Sequence, residues 1–175
     1  MNELPASTTK RLLAIIYDSL LLVAVLFLAM AFMLLIRKGE SSSDGDIFTT
    51  LYLLLVSYVF FTWFWRHGGQ TLGMRAWKLQ VISTEGESIN FKQSFIRFIT
   101  ALPAWIVVFI GTAEISGIQL VSHKWLEAIT RLPDGIILGF GLLWLWFDQR
   151  PDNWRDRFSQ TRIMQLEKNP RKNNA

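Results

Sequence analysis

The sequence predicts an all-α membrane protein: a four-helix transmembrane bundle with a small cytoplasmic β-hairpin and an amphipathic surface helix. Three observations carry that expectation. Apolar residues make up 51% of the 175 positions and gather in long blocks rather than in the periodic stripes of a soluble fold. Tryptophans stand in pairs where two of those blocks end, Trp63 with Trp65 and Trp144 with Trp146, as side chains do at a membrane–water boundary. Lys and Arg are unevenly shared among the polar connections, which gives the bundle a direction.

Composition narrows the chemistry. The chain has no Cys and two His, His67 and His123, so neither a thiolate site nor a His-rich metal centre can form. No cofactor and no metal are expected. The net charge of +4 could point to nucleic acid, but membrane topology accounts for the basic excess, and no nucleic-acid partner is expected.

The first apolar run, Leu12–Ile36, is flanked by Lys10-Arg11 and Arg37-Lys38. As a helix it extends roughly 37 Å, enough to cross a hydrocarbon core of about 30 Å with some tilt. Ala29-Met30-Ala31 resembles a signal-peptidase site, yet the run is too long for a secretory h-region and carries an acid, so a retained span is expected. That acid, Asp18, sits about 9 Å along the axis from Leu12. A charge at the helix centre costs about 2.5–3.5 kcal/mol on insertion scales, somewhat less at this depth. A cationic partner, a water-filled cavity or a proton must offset it. Arg11 shares the face of Asp18 two turns away, and on its own it is expected to snorkel to the headgroups.

Gly39–Asp46 reads as a polar connector. Ile47–Trp65 forms the second span, free of ionisable residues. In the longest polar connection, Arg66–Lys92, Thr71 is placed to cap a short helical turn, and the glycines of GGQTLGM lack the Lys and the preceding strand of a phosphate loop. Trp77 between Arg75 and Lys78 suits the interface. Alternation over Leu79–Ser83, a turn at Thr84–Glu87 and the pair Ile89 and Phe91 predict the hairpin. The third helix begins near Phe91 and runs to about Ile110 or beyond. It carries a polar stripe of Gln93, Arg97 and Thr100 and a Pro103 kink. Val121, Trp125, Ile129 and Leu132 predict the amphipathic surface helix within Gly111–Asp134. Pro133-Asp134 opens a short fourth span ending at Asp148. The expected domain is 1–165, with 166–175 a disordered cytoplasmic tail.

Basic residues concentrate in the second connection and the tail, which the positive-inside rule assigns to the cytoplasm, with both termini inside. Asp18 and Arg97 then enter from the same side and can meet at similar depth as a buried pair. Its role is either structural or, with Asp18 as proton or cation carrier, functional.

Three ordered motifs give the chain a resemblance. KRLLAIIYDSLLL, the GGQTLGMRAWKLQVI segment from Gly68 to Ile82 and the FDQRPDNWRDRFSQTRI box from Phe147 to Ile163 resemble the RDD family of small bacterial membrane proteins. The resemblance spans nearly the whole chain outside Gly111–Asp134. It maps the family's Arg and two Asp onto Arg11, Asp18 and Asp156. It departs where the family often has His before the last Asp and a Gly in the box: here stand Arg155 and Gln160, which leaves Asp18 as the titrating group. The resemblance implies monovalent cation/proton antiport in a bacterial inner membrane, and physically a lone intramembrane carboxylate can bind either a proton or Na⁺. Asp18 is therefore the expected ion- and proton-binding residue, with Arg11, Arg97 and Asp156 as charge partners and Trp63, Trp65, Trp77, Trp144 and Trp146 as interface anchors. Short helices make a thin wall, so a homo-oligomer is expected. The alternative is a non-transporting scaffold that docks anionic lipid or a membrane partner through its basic, Trp-rich connection and tail. Asp148, Asp152 and Asp156 recur every four residues and could line a divalent-ion face. The arginines among them favour an ion-paired surface, so an enzyme is not expected.

Overall fold

The computed structural model describes residues 4–39, 46–116 and 135–166. Strand β1 (Leu4–Pro5) leads into helix α1 (Thr8–Ile36). Then come α2 (Ile47–Arg66), the short α3 (Leu72–Ala76), β2 (Leu79–Ser83) and α4 (Phe91–Ile115). The chain closes through α5 (Ile136–Asp148), α6 (Trp154–Ser159) and β3 (Thr161–Gln165).

Helices α1, α2 and α4 are each long and apolar enough to cross a membrane. Helix α5 has 13 residues and so covers only about 20 Å, short of a hydrocarbon core. The described chain thus has three helices of spanning length and, where the short fourth span was expected, one shorter apolar helix. The expected amphipathic helix lies at residues 117–134, outside the described residues, as does most of the expected tail.

The expected hairpin is not formed. Strand β2 pairs instead with β3, Leu79 opposite Gln165 through Ser83 opposite Thr161, and β3 pairs on its other side with β1. The antiparallel order is β1-β3-β2. The turn after β2 does close, with Gly86 N–H donating to the Ser83 carbonyl. The chain beyond it enters a helix, because Asn90 and Gln93 cap one another reciprocally, each side chain accepting from the other's N–H at 3.0 and 2.8 Å. That capping box starts α4 where a second hairpin arm would have run.

Strands from near both ends of the described chain share this sheet, so both ends lie at one end of the bundle. The core lies there too, where Ala14, Trp65, Met74, Leu79, Val81 and Phe98 pack together. Further along, α1 buries nothing: its buried residues are Arg11, Ala14 and Asp18. Helices α4 and α5 run antiparallel in close contact. A Cβ on Gly111 would meet Leu138 backbone at 2.5 Å, and one on Gly141 would meet Val108 at 3.0 Å.

At the other end of α1, Asp46 caps α2 by accepting from Phe48 N–H at 3.1 Å. Its carboxyl is held down to about 2 by the Arg37 guanidinium at 2.7 Å and by the Thr49 hydroxyl. A depressed carboxyl contributes its stabilisation above its unfolded value and loses it as pH falls through the folded one. The first turn of α2 is therefore expected to keep its cap at pH 4 and fray as pH approaches 2. Hydrogen exchange at the Phe48 amide reads this, and an amide equally protected at both pH values would contradict it.

Candidate functional site

At the sheet end, α1 presents Arg11, Ala14 and Asp18 on one stripe, as helical spacing requires. The Asp18 side chain accepts from the Thr71 hydroxyl and, at 2.8 Å, from the Gly73 N–H. Both donors come from α3 and its cap. Thr71 caps α3 as its position predicts, accepting from Met74 N–H at 3.2 Å while it donates to Asp18. The approach depends on Gly73. A Cβ there would lie 2.3 Å from the Ala14 carbonyl oxygen and 2.9 Å from the Asp18 carboxyl, so only glycine lets α3 lie flat on α1. Asp18 is 5% exposed, and both its bonded donors are neutral.

The expected Asp18–Arg97 pair is therefore not formed. Arg97 instead donates to Asp156 at 2.7 Å and to the Thr161 hydroxyl at 2.6 Å. Arg11 takes the other Asp156 oxygen at 2.9 Å and the Ile163 carbonyl at 3.1 Å. The result is an Arg–Asp–Arg bridge that ties α1 and α4 to α6 and β3. Arg11 does not snorkel, because the sheet and α6 close over the start of α1, bring acceptors to it and leave it 3% exposed. Asp156 is held below the ordinary carboxylate range: burial opposes its charge, but the flanking Arg97 and Arg11 guanidiniums outweigh it.

A second buried pair joins Arg155 to Asp148 at 2.7 Å. Asp148, Asp152 and Asp156 do not share a helix face, since α5 ends at Asp148 and α6 begins only at Trp154. Between them Asp152 takes a positive φ of 57°, which breaks any continuous helix. No metal-binding cluster occurs among the described residues.

These groups surround a cavity of about 80 Å³. Its polar wall is Arg11, Asp18, Thr71, Arg97, Gln149 and Arg155; Phe61, Trp65, Phe98, Leu102 and Trp105 make much of the rest. Arg97 also lies over the Trp65 ring, 5.7 Å from its centre.

Trp65 was expected in the aromatic belt. It is a core residue, 6% exposed and stacked on Phe61. Residues two apart on a helix point about 200° apart, so Trp63 and Trp65 cannot both face outward. Trp63, Trp77 and Trp146 are exposed at 60%, 37% and 45%, and Trp144 is half-buried beside Phe140.

Reading the sequence missed Gly73, Thr161, Gln149 and the Asp148–Arg155 pair as parts of the site. The one usable signal lay in Thr71-Leu72-Gly73, where a capping hydroxyl and a glycine sit two residues apart; nothing in it names Asp18 as their target.

Compared with known proteins, the chain matches the model of the RDD family over residues 5–160. No curated protein and no solved structure matches it.

Proposed function

The chain belongs to the RDD family of membrane proteins, and from that membership we propose that it exchanges a monovalent cation for protons, with Asp18 as the group both ions share. The observation that carries this reading is the Asp18 carboxyl itself. It lies within a helix long enough to span a bilayer, bonds among the described residues to neutral donors alone, and forms part of a cavity wall. A carboxylate already paired with a guanidinium would have little reason to release or take up a cation. One held by a hydroxyl and an amide keeps that capacity. Arg11, Arg97 and Asp156 then act as the rigid frame, and their charges set the field at Asp18.

In this reading the protein resides in the bacterial cytoplasmic membrane. The sheet end, where Arg75, Lys78 and Arg162 cluster in sequence and topology, faces the cytoplasm with both termini. Helix α5 completes a fourth, short crossing in a locally thinned bilayer. Two or more copies assemble to give the pathway a wall thick enough to exclude lipid.

The test is flux in proteoliposomes. Asp18→Asn keeps the shape and an acceptor oxygen for the Gly73 N–H, turns an amide toward the Thr71 oxygen, and fixes the group neutral. Sodium or potassium movement driven by a pH gradient is expected to fall at least tenfold, with equal protein incorporated. Undiminished flux would end the transport reading.

The second reading, a scaffold without transport, draws on a different observation. The two buried ion-pair clusters fasten the short C-terminal elements to the bundle, while Trp154 and Phe158 of α6 remain exposed at 38% and 67%. Such a face suits a membrane partner or anionic lipid. Co-purification of one partner at fixed stoichiometry, without flux, would favour it.

A further inference from the structure

The cation reading leaves an electrostatic remainder at the cavity. Arg11, Arg97 and Arg155 all line it and are 3%, 1% and 7% exposed. Their ion-paired acids are Asp156, shared by two of them, and Asp148. Among the described residues Asp18 is thus the third carboxylate that brings the cluster to neutrality. When Asp18 takes up a proton or binds a cation, one positive charge is left in surroundings where an uncompensated ion is costly. The Nε of each of the three arginines is also buried without a hydrogen-bond partner, as are the Asp148 Oδ1 and, away from the cavity, the Arg66 Nε, although a guanidinium in a protein interior ordinarily finds acceptors for its donors.

We infer that this cavity binds a small, weakly hydrated monovalent anion, held by Arg11, Arg97 and Arg155, when Asp18 is loaded with a proton or cation. The inference rests on the proposed role of Asp18. Size and surface set the ligand class. A space of about 80 Å³ admits an ion such as nitrate or a short-chain carboxylate. The aromatic wall of Trp65, Phe98 and Trp105 favours an ion that sheds water readily. A divalent oxyanion would overcompensate a single positive charge and pay a larger desolvation penalty. The groups that set the field are Asp18 from α1, the three arginines from α1, α4 and α6, Asp148 at the end of α5 and Asp156 in α6. Linkage makes the coupling reciprocal: anion binding strengthens proton or cation uptake by the same factor by which that uptake strengthens anion binding.

Calorimetric titration of the full chain in nanodiscs with sodium nitrate, sodium propionate and sodium sulfate, at constant ionic strength, tests this. Saturable binding of nitrate or propionate, with sulfate at least tenfold weaker, is expected. Asp18→Asn, which mimics the proton-loaded state, is expected to tighten binding roughly tenfold, because one carboxylate charge a few ångströms away is removed. Ala101→Leu, which adds three carbon atoms at the cavity wall, is expected to abolish binding while circular dichroism and cooperative melting persist. Non-saturable heats, or sulfate binding as well as nitrate, would overturn the site and leave a cavity that holds water only. Binding that Ala101→Leu leaves intact would place the anion elsewhere and overturn it equally. Weaker binding in Asp18→Asn would overturn the coupling. The transport reading is judged separately by cation flux in Asp18→Asn, so each can fail without the other.

Discussion

Asp156→Asn is expected to destabilise the protein by about 3–5 kcal/mol, because it strands two buried guanidiniums at once. Asp156 accepts from Arg97 at 2.7 Å and Arg11 at 2.9 Å, and both arginines are buried, at 1% and 3% exposed. The amide would supply one acceptor oxygen where the carboxylate supplies two, and no charge. Thermal unfolding in a mild detergent reads the effect. The double variant Asp156→Asn/Arg97→Met removes one of the two stranded charges, so it is expected to be less destabilised than the separate effects added together. Strict additivity, or a single variant that melts like the parent, would show that the bridge contributes little. The same bridge gives a pH dependence. The folded carboxyl sits below its ordinary value, so its contribution is complete above the unfolded value near 4 and is lost as pH falls through the folded one. Stability should fall on that acid side, and the acid slope should shrink in Asp156→Asn.

Gly73→Ala is the second large effect, and it is geometric. The added methyl would meet the Ala14 carbonyl oxygen and the Asp18 carboxyl at distances that no Cβ adopts. The Ala14 oxygen belongs to helix backbone, so α3 must lift from α1. Overpacking of this kind costs about 1–3 kcal/mol, and losing the Gly73 N–H and Thr71 hydroxyl leaves Asp18 buried without its donors, adding about 1–3 kcal/mol or more for a charged group. Melting should drop accordingly, and under the proposed transport role any flux that depends on Asp18 should vanish in the fraction that stays folded. A Gly73→Ala protein that melts normally would mean that α3 does not lie against α1 as described.

The helices were the legible part of this fold. Blocks of apolar residues long enough to span a bilayer mark α1, α2 and α4 wherever they occur, because satisfying backbone groups in lipid leaves few alternatives. Asp18 and Arg97 stood out for the related reason that charges within apolar blocks are costly; Arg11 stood out by sharing the face of Asp18, and Asp156 only through the family resemblance. Which of them meet was not legible. Spacing along α1 and α4 gives depth but not rotation about the bundle axis, so Asp18 and Arg97 shared a level without sharing a bond. The acceptor that decided the pairing, Asp156, sits in a short helix whose docking depends on β3 pairing with β2 and β1, a contact between distant parts of the chain. The hairpin failed for the same reason: alternation marks Leu79–Ser83 as a strand but carries no information about its partner. Trp65 was misplaced by reading the end of a span as uniform around its circumference, when one side of it faces the core.

The Arg11–Asp156 bridge joins residues 145 positions apart. At ordinary translation rates of about 5–20 residues per second, the acid emerges from the ribosome on the order of 10 s after the arginine. During biogenesis the first span must therefore wait in the translocon or the bilayer with Arg11 unmatched, long after Thr71 and Gly73 have become available to Asp18. Assembly is completed only when Asp156 arrives, so a chain truncated before it would leave quality-control proteases a membrane segment marked by the bare charge of Arg11.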